Sequence, residues 1–290
     1  MMNADSTIDL DKRQLSLWTY SRMLSSVEAI TSLTRNRVLI RQLASREIRA
    51  RFQGSLLGPF WIVLMPLLML AIYAFVFGLV FKSKWPGSGD TQGDFAIRIF
   101  SGLAVFSFFG DVVARSPRLI LENPTYVKKI AFPVECLPWV AIASAGVASL
   151  ASLFVLIAGV LWVNGNLPWT SLLLPLYLAP LILFVAGCAW VLAGLGAYFR
   201  DLNNFVGFCV SALLFLTPIF YPTSAVPENF QAAIRLNPLT FYVESIRSLL
   251  IEGVIPNAVH YATSLLIAVT VFMLGSALFK RLRPGFADVL

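Results

Sequence analysis

Residues 46–60 read REIRARFQGSLLGPF, and Arg46, Arg49 and Arg51 crowd the first half of that stretch. A guanidinium presents a planar fork of donors that meets the paired oxygens of a phosphate. The cluster therefore suits an anionic phosphorus ligand. Gly54 and Gly58 with Pro59 interrupt it, and from Phe60 to Phe81 no charge appears. Basic side chains at the mouth of an apolar run lie at the depth of anionic lipid headgroups. The two glycines are expected to let neighbouring backbones approach closely.

Other chemistry is thin. His260 is the single histidine and has no carboxylate or cysteine neighbour. Cys136, Cys188 and Cys209 show neither metal-ligand nor paired spacing and are expected to be small buried hydrophobes. No nucleophile–base pair and no metal set is seen, so no catalytic residue, metal or cofactor is expected. Asp111 and Glu135 lie at or inside apolar runs and should face protein or water; Arg200-Asp201 marks a tight turn. A membrane-embedded transferase would need clustered carboxylates or a His–Asp pair at one face. The phosphate cradle GxxxxGK followed by Ser or Thr is absent from the sequence, so this polypeptide is not its own ATP motor.

The elements that carry these residues follow from hydropathy. Of 290 residues 58% are hydrophobic and 13% charged, with mean hydropathy +0.78, which places the chain among all-α integral membrane proteins. Charge-poor runs close to the length needed to cross a bilayer predict six spans, near residues 60–81, 99–113, 139–163, 172–199, 205–221 and 261–279. With both termini in the cytoplasm, 17 of the 22 Lys and Arg fall inside, as the positive-inside rule requires. That topology accounts for the net charge of +7, and no basic surface interleaved with aromatics points to nucleic acid. The opening MMNADSTIDLDKRQ has no basic stretch ahead of an apolar one, so no cleavable leader is expected. Residues 1–34 form an N-terminal extension and 35–283 one membrane domain.

Three connecting segments are informative. Residues 35–52 mix Val38, Ile40, Leu43, Ile48 and Phe52 with basic side chains and are expected to lie along the headgroup boundary. In the loop 114–139, Ser116 or Pro117 opens a short helix through Leu121 that Asn123-Pro124 ends. Between the last two spans, residues 222–260 should form two short half-buried helices split at Asn237-Pro238, with Glu244 and Arg247 among apolar neighbours. Membrane-depth helices of that kind most naturally line a cavity.

Together, RARFQGSLLGPFWIVLMPLLML, ENPTYVKKIAFPVECLPW, YFRDLNNFVGFCVSALLFLTPIFYP and LNPLTFYVESIR resemble, in order and spacing, the permease subunit of type-2 ATP-binding-cassette exporters. The likeness is to the branch that exports O-antigen and capsular polysaccharides, and it covers about Arg41 to Phe279. The resemblance implies an amphipathic interface helix over 35–52 and a cytoplasmic coupling helix near 116–124, placing Pro117, Leu121, Glu122, Asn123 and Pro124 toward an ATPase. It also implies paired short periplasmic re-entrant helices over 223–253. It further implies a homodimer with two copies of a separate ATPase subunit that carries ATP and Mg, in the bacterial inner membrane, with the path along the dimer axis.

On that footing Arg46, Arg49 and Arg51 are expected to receive the phosphate of a lipid-linked glycan, with inner-leaflet phospholipid the competing anion. Phe75, Phe77, Phe106, Phe108, Phe109, Phe215, Phe220 and Tyr221 are candidates to line a sugar path, with helix packing the alternative role for each. The near competitor is a teichoic-acid, lipid or drug exporter permease of the same fold. A secondary transporter would show inverted halves with matching broken helices, and no such internal symmetry is seen.

Overall fold

The computed structural model describes residues 31–81, 85, 93–128 and 132–290. Most of the expected extension, and most of the glycine-rich sequence WPGSGDTQGD at residues 85–94, lie outside that set. Among the described residues all regular structure is helical.

The chain enters through α1 (Arg37–Arg51) and turns at Gly54 and Gly58, whose φ angles of 81° and 51° lie in the left-handed region. Among the described residues a Cβ added at either glycine would meet nothing within 4 Å. Their role is thus to make the turn, and the expectation of close backbone approach is corrected. α2 (Trp61–Tyr73) follows and runs into a π-helical segment over Ala74–Val80. No residue of either piece is fully buried.

α3 (Asp94–Arg115) is the central helix, with 78% of its apolar stretch buried. It starts earlier than hydropathy suggests because Asp94 and Arg98, one turn apart, pair at 2.8 Å. Mutual neutralisation carries both charges into a buried helix. After a short connection come α4 (Pro124–Val127) and the long α5 (Cys136–Asn164), closed by Gly165 at φ 72°, the left-handed conformation that ends many helices. α6 (Leu174–Tyr198) and α7 (Leu202–Leu216) complete this half.

Among the described residues five helical stretches are long and apolar enough to cross a membrane: Gly58–Val80, Asp94–Arg118, Cys136–Asn164, Trp169–Tyr198 and Ala258–Val289. The fifth expected span, 205–221, is the 15-residue α7 instead. At 1.5 Å per residue it reaches about 22 Å, short of the ~30 Å hydrocarbon core. Pro218 ends it: the residue before a proline is driven out of the helical region, and Thr217 is extended at ψ 137°.

Beyond α7 the chain forms α8 (Glu228–Leu236) and α9 (Pro238–Arg247), split at Asn237, whose side chain accepts from the Leu239 amide. α8 has no buried residue, whereas most of α9 is buried. α10 (Ala258–Leu282) then returns along α6, and α11 (Phe286–Val289) ends the chain. Where α10 crosses α6, Trp139, Trp190 and Phe272 interlock edge to face with centroids 5.2 Å apart for the two pairs that Trp190 makes.

Candidate functional site

A cavity of about 610 Å³ opens between α2, α3 and α5, with the end of α1 across its mouth. Trp61, Met65, Met69 and Tyr73 form one wall, and Phe100, Ser107, Phe108 and Asp111 the second. Ser144, Ser149 and Ser152 of α5 stand in the third, while Arg51 and Phe52 close the arginine-rich end. The result is a mainly apolar pouch with a few hydroxyls, one carboxylate and one guanidinium. Such a lining accommodates an amphiphile whose charged part stays at the mouth.

Of the three clustered arginines, only Arg51 reaches this cavity. Residues two apart on a helix point about 200° away from each other, so Arg49 and Arg51 face opposite sides of α1. Arg49 Nη2 donates to Ser45 Oγ at 3.4 Å on its own helix. Arg46 Nη1 donates to the Tyr126 hydroxyl at 2.9 Å, which ties α1 to α4.

Glu47, between these arginines in sequence, was not among the expected site residues. Its carboxylate accepts from Arg115 Nη2 at 2.5 Å and from Ser144 Oγ at 2.7 Å, and Arg51 Nη2 stands 3.8 Å from it. One acid therefore joins α1 to the end of α3 and to α5. Its contrast with the surrounding basic residues was the only signal in the sequence. Arg115 Nη1 is buried with no hydrogen-bond partner among the described residues.

The loop expected to form a coupling helix through Leu121 has a different layout. Ser116–Arg118 makes a single 3₁₀ turn, and Asn123-Pro124 opens α4 where it was expected to end a helix. Proline at the first helical position is favourable because its missing N–H would have no partner there. Pro117 is buried, Leu121 and Asn123 are half-buried, and Glu122 and Pro124 are exposed. Pro117 lies against Gly196 of α6, where a Cβ would sit 2.1 Å from the Pro117 carbonyl oxygen.

At the opposite end, Arg247 is 4% exposed and donates to three backbone carbonyls, of Arg98 at 3.0 Å, Pro218 at 2.6 Å and Ile219 at 2.7 Å. Its guanidinium also lies 4.7 Å from the centre of the Trp85 ring. Arg98 completes the knot by pairing with Asp94 and Glu252, each at 2.8 Å. Glu244 accepts from the Thr223 hydroxyl at 2.8 Å. Arg247 thus stitches α9, α3 and the chain beyond α7 together.

The eight aromatic candidates do not form one wall. Phe106 and Phe109 are buried, Phe109 stacking on Phe184 at 6.1 Å, and Phe108 lines the cavity. Phe75 and Phe215 are exposed, and Phe77 packs on Phe95 at 5.5 Å. Phe220 stacks on Phe215 at 6.0 Å, and the Tyr221 hydroxyl donates to the Phe215 carbonyl at 2.9 Å. Glu135 pairs with Arg283. Among the described residues no group of three His, Cys, Asp or Glu converges as a metal set would.

Comparison with known proteins fits this arrangement. The chain is 28% identical over 253 residues to the O-antigen export system permease protein RfbA of Klebsiella pneumoniae, covering 86% of this chain and 93% of the relative. A protein of the same name from Myxococcus xanthus is 26% identical over 266 residues, covering 90% and 99%. The polysialic acid transport protein KpsM of Escherichia coli is 24% identical over 249 residues, covering 84% and 93%. The family model described as ABC-2 type transporter matches residues 38–251, across α1, the cavity walls and the Arg247 knot, and the chain belongs to that family of multi-pass membrane permeases.

Proposed function

We propose that this chain is the membrane subunit of an exporter that moves a lipid-linked polysaccharide, of O-antigen or capsule type, from the cytoplasmic face across the bacterial inner membrane. The observation that carries this reading is the amphiphile-shaped cavity with Arg51 at its mouth, in a chain similar over most of its length to permeases named for O-antigen and polysialic acid. An apolar pouch with a cation at one end accommodates a lipid carrier whose phosphate stays near the headgroup plane.

Energy comes from a separate ATPase subunit, because the sequence has no phosphate cradle of the P-loop type. Two permease copies work with two ATPase copies, and α7 together with the segment after it serves as the fifth of six spans. Both termini are cytoplasmic. In this layout α1 is the interface helix, and the exposed Glu122 and Pro124, at the start of α4, meet the ATPase. Arg46 passes motion from α4 to α1 through its bond with Tyr126. α8 and α9 are the paired short helices on the periplasmic side.

The test is a strain lacking this gene, in which lipid-linked glycan is quantified and assigned to one face of the inner membrane. Accumulation at the cytoplasmic face with none at the cell surface is expected. Normal surface glycan without accumulation removes the polysaccharide reading.

A further inference from the structure

We infer that Arg51 and Arg115 together form the phosphate site of this permease, and that Glu47 occupies it as an internal stand-in until a phosphate-bearing lipid displaces it. The inference rests on the export reading and deepens it by naming the residues that hold the cargo's charged end.

Buried N–H groups in folded proteins nearly always have an acceptor, yet Arg115 Nη1 is buried and has none among the described residues. The same guanidinium spends its other terminal nitrogen on Glu47 at 2.5 Å. Glu47 in turn lies 3.8 Å from Arg51, too long for a hydrogen bond. One carboxylate therefore sits between two cations, leaves a buried donor of Arg115 unmatched and holds the exposed Arg51 only at a distance. A phosphate group offers more acceptor oxygens with tetrahedral spread, and arginine pairs engage it bidentately.

Arg51 lines the cavity, which supplies the route for such a group. Asp111, one turn before Arg115 on α3, lines it too and opposes an anion deeper inside. The phosphate consequently rests at the Arg51–Arg115 edge while the lipid chain lies along the apolar walls.

Displacement has a structural consequence, since the Glu47 carboxylate is also held by Ser144 Oγ at 2.7 Å. Releasing it frees α1 from both α3 and α5 on that side. Because Arg46 on the same helix bonds Tyr126, occupancy of the site is linked to the position of α4. By linkage, whatever shifts α4 changes phosphate affinity in return.

The experiment titrates the solubilised permease–ATPase complex with a polyprenyl diphosphate, and in parallel with phosphatidylglycerol, reading binding by native mass spectrometry. Arg115→Gln is expected to weaken polyprenyl diphosphate about tenfold, the scale of one lost charge-assisted contact. Glu47→Gln is expected to tighten it severalfold because the competing carboxylate is gone. Ser144→Ala, which keeps the charge and removes only the hydroxyl holding it, should tighten it to a lesser degree. A purely structural role for Glu47 gives the opposite sign, so binding unchanged or weakened in assembled Glu47→Gln and Ser144→Ala complexes overturns the inference and leaves the export reading standing. Equal affinity for phosphatidylglycerol, with the same dependence on Glu47, overturns the cargo assignment in favour of a bilayer lipid. No binding of polyprenyl diphosphate to the unaltered complex removes the export reading and this inference together.

Discussion

Gly187 of α6 and Gly275 of α10 stand back to back, so close that a Cβ on Gly275 would lie 2.3 Å from the Gly187 carbonyl oxygen. Lipid tails are as apolar as leucine, so membrane helices gain from close backbone approach more than from apolar burial. Gly275→Ala is predicted to cost about 1–3 kcal/mol through overpacking. Thermal unfolding of the solubilised complex checks this; a melting curve that superimposes on the unaltered one refutes it.

Arg247 should resist conservative replacement. Lysine is a single ammonium without the fork that serves three separate carbonyls, and those of Arg98, Pro218 and Ile219 all depend on it. Arg247→Lys and Arg247→Met are both predicted to destabilise, the latter by about 3 kcal/mol, since buried acceptors are left unmatched. Membrane abundance and protease resistance of the 217–222 segment are the measurements, with Met faring worse.

The connection between α3 and α5 is predicted to separate two effects. Glu122 is exposed, so Glu122→Arg should reduce recovery of the ATPase in a pull-down while leaving the permease melting temperature unchanged. Pro117 is buried against Gly196, and Gly196→Ala should lower that temperature because the backbone at Pro117 must move. The same loss of ATPase from both variants without any melting shift contradicts this division.

Two phenylalanines offer a parallel contrast. Phe109 is 5% exposed and Phe215 is 67% exposed. Phe109→Ala is predicted to cost about 3–5 kcal/mol by leaving a cavity. Phe215→Ala should leave stability within about 0.5 kcal/mol and lower glycan export instead. Unfolding and export assays run on both variants decide the matter, and an export defect confined to Phe109→Ala would place the path elsewhere.

The long spans were legible because a run of apolar residues has one economical fate in a bilayer. Their ends were less so, since local chemistry sets them. Asp94 and Arg98 extend α3 by neutralising each other, and Pro218 truncates α7. Asn123-Pro124 carries signals for both the end and the start of a helix, and the structure uses the second. The two helices split at Asn237 were readable from the proline that follows it. Glu47 was invisible as a hub because Ser144 is 97 residues away, and linear spacing carries no information about such a meeting. The arginine cluster was visible, but helix geometry sends its members to different partners.

α2 has no fully buried residue, although it forms one wall of the cavity. Its contact with the rest of this chain runs through half-buried side chains such as Leu70 and Tyr73, whereas α3 is enclosed along most of its length. Swinging α2 disturbs fewer enclosed side chains of this chain than moving α3 does, which makes it the more compliant plank of the two. If the cargo enters by this cavity, its opening widens along α2 at smaller cost than along the more enclosed α3.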